Sequence, residues 1–389
     1  MSGQNTNTDE TSYRFDTPNN YLKSEYSRLN YNNEIDIRKI DLDKLFKDAK
    51  NLYGVEQTKL FESDKILFKE LKKIASYLKV PIDEQERSTF WIMNRHCENV
   101  EKILKQNNIS VPKNITIGTL PLPDLNAFVS EFSDDRKLMV LNRSLIEMLY
   151  LMGRITSSCF SITDEDNKKN TLTINFDKSI IDKRLKTDTR YSIRFLDVLM
   201  SYFTYQKLPL SEIYFEEDNK KIFSESLYSN GEFFIVAHEY AHIMNNDLYS
   251  KTDIEKKIPN ISPELYTVVT NWIEEFEADK VALEIALVNN SEGAFGLLPN
   301  YLGVEFLFAC FNIIEEIDMK INNFEFSETH PSAQMRIESL RVHIENTLPN
   351  EAEKLLNGSE IIPYVLNTLW NENKDAFYMN FFEINNNDF

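Results

Sequence analysis

The sequence has few of the residues that fix the fold of small exported domains. Its 389 residues include three cysteines, Cys97, Cys159 and Cys310, whose odd number and wide spacing exclude a disulfide framework and a cysteine-rich metal site. The opening residues, "MSGQNTNTDETSYRF", contain no basic and apolar segment that would direct export, and no lipidation motif. A protein of a reducing compartment, the cytoplasm, is therefore predicted.

Long apolar runs and an excess of basic charge are also missing. The most apolar run, "VEFLFACFNII" at 304–314, is too short to cross a bilayer, and it contains Glu305 and Asn312. It predicts a buried helix, and a helix lying on a membrane surface is the alternative. The formal net charge is −19 and the basic residues are scattered among acids, so nucleic-acid binding is not expected.

The pattern of apolar residues predicts an α+β fold that is mostly α. Apolar residues recur at helical spacing through most of the chain, whereas "LNAFVSEF" and "RKLMVLN", separated by the turn-prone "SDD", predict a β-hairpin in a small sheet. The predicted regions are a flexible segment 1–35, a helical layer 36–110 with apolar stripes at 66–78 and 93–104, a main domain 111–348 with an insertion at about 151–228, and a helical or irregular cap 349–389.

The stretch "FFIVAHEYAHIMNN" carries the strongest chemical signal. On a helix, residues four apart lie on one face, so His238 and His242 can direct their imidazole nitrogens at one metal ion. Glu239 is rotated away by one position and can act on an attacking water. The preceding "SNGE" predicts a capping box, Ser229 with Glu232, at the start of this helix.

The alternative for this stretch is a helix that merely contains histidines, since short motifs also match by chance. The residues around the motif are apolar on nearly every side of the predicted helix. Two histidines and a glutamate buried there would be costly unless their polar atoms were satisfied. A metal would satisfy them.

A catalytic zinc site needs a third protein ligand, and "NWIEEFEADKVALEIALV" offers one. Glu275 and Asp279 are four apart on one helix face, which continues with the small side chains of Ala278, Ala282 and Ala286. Small residues permit close helix approach, so that Glu275 can reach the metal and Asp279 can hydrogen-bond a ligand histidine. An ordinary amphipathic helix with solvated acids is the alternative.

These residues resemble the gluzincin metallopeptidases, in particular the HtpX-like and CAAX-prenyl-protease-like branch. "EFEAD" at 275–279 is similar to the third-ligand helix of that branch, "THPSAQMRIESL" at 329–340 to its downstream element, and "DLNAFVSEF" at 124–132 to its edge strand. A second resemblance, to the cytoplasmic Lit-like phage-exclusion peptidases, rests on the His-Glu-x-x-His motif and on the soluble character of the chain.

The first resemblance implies a zincin-like core with an active-site helix. In that core Zn²⁺ would be bound by His238, His242 and Glu275, and Glu239 would serve as general base and acid.

The resemblance also implies a place for the substrate. An extended substrate would add to an edge strand near Asn126, Ala127 and Phe128. His330 would approach the metal and stabilise the oxyanion, with a structural turn histidine as the alternative, and Arg336 is expected to pair with a carboxylate.

The leading hypothesis is a soluble, cytoplasmic zinc endopeptidase that cleaves a protein substrate. One alternative is a non-catalytic interaction protein that keeps the fold. Another is a latent protease, released by a regulatory partner or by displacement of the insertion at 151–228. Membrane members of the branch carry spanning helices and soluble members are often exported, and the sequence predicts neither feature for this chain. The resemblance therefore predicts the metal site and leaves the substrate and the cellular role open.

Overall fold

The structure is a computed structural model that describes most of the chain. The described residues are 17–29, 41, 43–44, 69, 72–74, 76, 78–82, 85–132, 135–164, 172–208, 211, 216, 218–245, 263–289, 296–322 and 330–387. The helices are α1 (Pro18–Arg28), α2 (Arg87–Gln106), α3 (Arg143–Cys159), α4 (Lys178–Thr187), α5 (Arg190–Tyr205), α6 (Asp218–Met244), α7 (Pro263–Val288), α8 (Leu298–Asn322), α9 (Ala333–Thr347), α10 (Pro349–Ser359) and α11 (Ile361–Asn387). The strands are β1 (Ile115–Leu120), β2 (Ala127–Glu131), β3 (Lys137–Asn142), β4 (Ser161–Asp164) and β5 (Leu172–Asn175).

Helix α6 is the centre of the fold. It packs against α2, α3, α7 and α8, and residues 231–241 are all buried. A helix surrounded in this way must be apolar on nearly every side, which is what the sequence predicts for this stretch. The mostly α architecture with a small sheet is confirmed.

The small sheet has the strand order β1-β3-β2, with β1 parallel to β3 and β2 antiparallel to it. The predicted hairpin is therefore confirmed, and β2 is an edge strand among the described strands. One face of the sheet belongs to the large core around α6. The other face packs into a smaller apolar cluster of Leu22, Tyr26, Ile82, Leu120, Phe132, Leu138 and Val140.

The predicted flexible segment 1–35 contains an ordered helix, α1, and the prediction is wrong for residues 18–28. Leu22 and Tyr26 are buried against the smaller cluster, and the Tyr26 hydroxyl donates a hydrogen bond to the Thr119 carbonyl (3.0 Å). Two apolar residues four apart are too weak a local pattern to predict a helix. Helix α1 is stabilised by packing against the sheet, which is distant along the chain. The remainder of 1–35, apart from residues 17 and 29, lies outside the described residues.

The helical layer 36–110 is described mainly in its second half. The stripe predicted at 93–104 is confirmed in α2, where Met93, Cys97, Val100 and Leu104 are buried. Most of the stripe predicted at 66–78 lies outside the described residues.

The start of α6 differs from the prediction. The helix begins at Asp218, so Ser229 and Glu232 lie inside it and form no capping box. Phe223 and Leu227, four apart and buried, extend the apolar face upstream. Glu232 is buried as well, and its carboxylate contacts the His96 imidazole (3.2 Å).

Helix α8 contains the apolar run at 304–314, and that run is buried as predicted apart from its partly exposed residues 311–312. No helix in the described part of the chain has both the length and the apolar character needed to cross a membrane. The insertion at 151–228 and the last two helices, α10 and α11, contribute side chains to the same large core, among them Phe160, Phe195, Val365 and Trp370.

Two glycines set the distance between α6 and α8. A Cβ added at Gly303 would overlap the Cβ of Asn230 and lie 3.0 Å from the Gly231 nitrogen, whereas a Cβ at Gly231 would lie 3.3 Å from the Gly303 carbonyl oxygen. The two backbones are therefore in direct contact at this crossing. Helix α8 can hold its downstream residues in fixed positions relative to α6.

Replacement of Gly303 by alanine is expected to destabilise the protein by about 1–3 kcal/mol, because the added methyl group forces the two backbones apart. Gly231→Ala should cost less, since its Cβ would lie 3.3 Å from the Gly303 carbonyl oxygen and a shift of a few tenths of an ångström relieves that contact. Urea unfolding followed by circular dichroism measures both, with Glu316→Ala on the exposed side of α8 as the control. Equal stability of Gly303→Ala and wild type would contradict the close crossing.

Candidate active site

Three side chains predicted as metal ligands converge between α6 and α7. The Nε2 atoms of His238 and His242 are 2.9 Å apart, and they lie 3.4 and 3.5 Å from the two carboxylate oxygens of Glu275. One ligand atom from each residue falls within 4.8 Å of the other two. Such a cluster of two imidazoles and one carboxylate can hold one metal ion.

The cluster is buried on one side and open on the other. The side chains of His238 and Glu275 are 8% and 9% exposed, while that of His242 is 29% exposed. Water and a substrate can therefore reach the cluster from the side of His242.

The close approach of α7 to α6 depends on small side chains. Ala278, Ala282 and Ala286 are buried, with exposed fractions of 0%, 0% and 2%. Because a methyl group takes little room, the α7 backbone can lie near enough for Glu275 to reach across to both histidines. This is the alanine-lined face that the sequence predicts.

Asp279 and Arg336 form a buried clamp behind His238. Asp279 is fully buried, and its carboxylate lies 2.9 Å from the Nδ1 atom of His238. Arg336, on α9, donates two hydrogen bonds to the same carboxylate (2.6 and 2.8 Å). With Nδ1 held by Asp279, Nε2 is the nitrogen that faces His242 and Glu275.

Arg336 has further contacts that fix its guanidinium. It lies 3.4 Å from the Glu275 carboxylate and 5.3 Å from the centre of the Phe308 ring on α8. The sequence predicts a carboxylate partner for Arg336, and that is confirmed. The clamp on His238 and the stacking on Phe308 have no signal in the sequence, because their partners are distant along the chain.

The electrostatics of the cluster follow from burial and pairing. Burial alone would raise the pKa of Glu275, but hydrogen bonds with His238, His242 and His330 hold that pKa well below its usual range. Burial would raise the pKa of Asp279 too, and Arg336 lowers it. For His238, burial lowers the pKa, yet Asp279 and Glu275 raise it overall to about 10. The site therefore stabilises positive charge at His238, as a cation-binding site should.

Glu239 lies beside the cluster and is not part of it. Its side chain is buried, with 6% of the residue exposed, and burial raises the pKa of its carboxyl group while His238 and His242 lower it. A carboxylate whose pKa is raised in this way accepts and returns a proton more readily near neutral pH.

His330 contacts Glu275 and does not join the three converging ligands. Its Nδ1 atom lies 2.9 Å from a Glu275 carboxylate oxygen, and its side chain is 58% exposed. It lies just before α9, at the edge of the cluster. His330 is therefore near the site, as predicted, and it contacts Glu275, one of the three predicted ligands.

The residues predicted to bind substrate lie at and beside the start of β2, and their side chains point to different faces of the sheet. Ala127 and Val129 pack against the large core that contains α6. The Phe128 side chain packs on the opposite face, against the smaller cluster around α1. Asn126 is exposed at the beginning of the strand.

The two remaining histidines lie away from the cluster. His96 is buried in α2, with 6% exposed, and His343 lies near the end of α9, where it contacts Glu284 (3.0 Å).

The family model Peptidase U49 matches residues 141–354. The match contains α6, α7 and α9, and with them each of the ligands, Glu239, Asp279, His330 and Arg336. No curated protein and no solved structure matches the chain.

Replacement of Arg336 by methionine is expected to destabilise the protein by about 3–5 kcal/mol, because it leaves the buried Asp279 carboxylate without its cationic partner. The second substitution Asp279→Asn should recover a large part of the loss, since an uncharged amide no longer needs that partner. Urea unfolding measures both variants.

Lys280→Met is the control for this pair, because Lys280 pairs with Glu277 at a partly exposed position (2.7 Å) and should contribute less than about 1 kcal/mol. A loss at Arg336 no larger than the loss at Lys280 would contradict the buried clamp.

The raised pKa of His238 predicts a pH dependence in protein treated with a chelator. A group whose pKa is raised on folding adds stability that is complete below its unfolded pKa, about 6.5, and is lost as the pH rises through about 10. The unfolding free energy of wild type relative to His238→Asn should therefore decline between pH 6.5 and 10. Urea unfolding at a series of pH values measures the difference, and a constant difference would contradict the raised pKa.

Proposed function

Because the chain belongs to the peptidase U49 family, we propose that it is a zinc-dependent endopeptidase that cleaves a protein substrate. The observation that carries the proposal is the convergence of His238, His242 and Glu275 beside a buried Glu239. The family membership supports peptidase activity, and the donor set supports the metal.

The donor set fits zinc in type and number. Zinc in peptidases is bound by imidazole nitrogens and a carboxylate, with one position left open for water. Among the described residues the cluster contains three donors and no fourth, and its partly exposed His242 lies on the accessible side. This arrangement favours a catalytic site over a closed structural one.

The residues of the chain have distinct roles in the proposed reaction. When bound, zinc would polarise the scissile carbonyl and acidify the attacking water. Glu239 takes the proton of that water and delivers it to the leaving amine, for which its raised pKa is suited. Asp279 and Arg336 hold His238 so that its Nε2 atom faces the site.

The substrate would bind along the open edge of β2. The Asn126 carbonyl accepts a hydrogen bond from the Asn142 nitrogen (3.0 Å), so the even-numbered residues of β2 pair with β3. In an antiparallel pair, the alternate residues direct their N–H and C=O groups outward. The backbones of Ala127 and Val129 are therefore available to an extended peptide, next to α6.

The finer classification is part of the same proposal. The order of the ligand helix, the third-ligand helix and the "THPSAQMRIESL" element supports a gluzincin-type core related to the HtpX-like branch. The small number and wide spacing of the cysteines support a cytoplasmic location. A non-catalytic interaction protein is the second candidate. It would require a fourth protein donor at the metal or the loss of cleavage with zinc still bound.

Glu239→Gln is expected to keep zinc and to lose at least about 100-fold in cleavage rate, because glutamine cannot take a proton from water. Zinc per chain is measured by elemental analysis of protein purified without chelator. Cleavage is measured by labelling of new protein termini in cells that express wild type or variant. Glu277→Gln is the control, since it removes a carboxylate from α7 that pairs with Lys280 outside the cluster.

Well-folded protein without zinc would reject the metal assignment. Zinc bound at one equivalent with no new termini in cells would favour the non-catalytic candidate or a latent enzyme. A latent enzyme would cleave once a cellular partner is supplied, and the Glu239→Gln variant would not.

A further inference from the structure

Glu315, on α8, holds the start of α9. Both of its carboxylate oxygens lie 3.0 Å from the backbone nitrogen of Ala333, the first residue of α9. The hydroxyl of Ser332 accepts a hydrogen bond from the Met335 nitrogen in the same turn. The first turn of α9 is therefore capped by one side chain of its own and by one from α8.

The turn that Glu315 holds leads directly from His330. The His330 side chain is 58% exposed, yet its Nδ1 atom lies 2.9 Å from Glu275. Because most of the His330 side chain is exposed, the position of its backbone contributes to where the imidazole lies. The capped turn at Ala333, three residues further on, fixes that backbone.

Helix α9 packs against α8, and three of their side-chain contacts follow one another in antiparallel order. Arg341 pairs with Glu305 (2.8 Å), Arg336 lies over the Phe308 ring, and Ala333 bonds to Glu315. Of these three contacts, the Glu315 contact lies nearest to His330. Without it, α9 would still be held by the Arg336 clamp and by the buried Glu305, but the turn before α9 would lose its bond to α8.

We propose that Glu315 is a positioning residue, which holds the turn before α9 so that the His330 imidazole stays against Glu275. The inference rests on the proposed peptidase function for its consequence in catalysis. The Ala333 N–H donates its hydrogen bond to the Glu315 side chain. The proposed role therefore requires an acceptor oxygen at residue 315 but no negative charge.

The catalytic test is a double-mutant cycle between Glu315 and His330 in the zinc-loaded enzyme. Glu315→Ala is expected to lower kcat on the order of 10-fold with KM little changed, because a small displacement of the His330 imidazole slows the reaction without weakening substrate binding. Glu315→Gln keeps an acceptor oxygen and should stay near the wild-type kcat. In the His330→Ala background, Glu315→Ala should have no additional effect.

The proposal would be overturned if the losses in kcat from Glu315→Ala and His330→Ala multiply in the double variant. It would also be overturned if Glu315→Gln lowers kcat as much as Glu315→Ala. Glu316→Ala, on the exposed side of the same turn, is the matched control and should leave kcat unchanged. If Glu315→Ala does not fold, Glu315→Asp takes its place, since its carboxylate is one methylene further from Ala333.

A second measurement needs neither cleavage nor metal. The chain has five histidines, so imidazole signals in NMR spectra of protein with labelled histidine can be separated, and His330→Ala assigns one of them. The His330 signal should move toward that of a freely rotating imidazole in Glu315→Ala and keep its wild-type position in Glu315→Gln. An unchanged signal in Glu315→Ala would overturn the proposal. Wild-type protein that binds no zinc and cleaves nothing would reject the proposed function and leave this NMR result standing.

Discussion

The buried carboxylate of Asp279 is the group on which the rest of the site depends. A fully buried negative charge is costly, and here it is balanced by Arg336 and by the His238 imidazole. Those two partners come from α9 and α6, while Asp279 belongs to α7. One carboxylate thus joins three helices and at the same time fixes the direction of the His238 Nε2 atom.

The apolar packing and the charges of the site are interdependent. Alanines let α7 approach α6, and the direct backbone contact at Gly231 and Gly303 fixes α8 against α6. Because these helices bury the side of the cluster formed by His238, Glu275 and Asp279, each charged group there needs a charged or hydrogen-bonding partner. A divalent cation beside His238, His242 and Glu275 would complete that balance without any change in the helices.

The sequence predicts what depends on local spacing. The motif helix, the alanine-lined helix and the hairpin with its edge strand could all be predicted, since periods of 3.6 and 2 are visible within a few turns. The helix α1, the true start of α6 and the roles of Arg336 and Glu315 could not. Their stabilising partners are side chains or sheet faces far away along the chain, and such pairings leave no local pattern.

The clamp on Asp279 also has a consequence for biosynthesis. Its guanidinium is supplied by a residue 57 positions later in the chain, whereas His238, Glu239, His242 and Glu275 all precede it. A nascent chain that ends before α9 contains every proposed ligand and the proposed base, but its Asp279 lacks the arginine that balances the buried carboxylate. The charge of Asp279 is balanced as in the structure only once α9 has been synthesised and packs against α7.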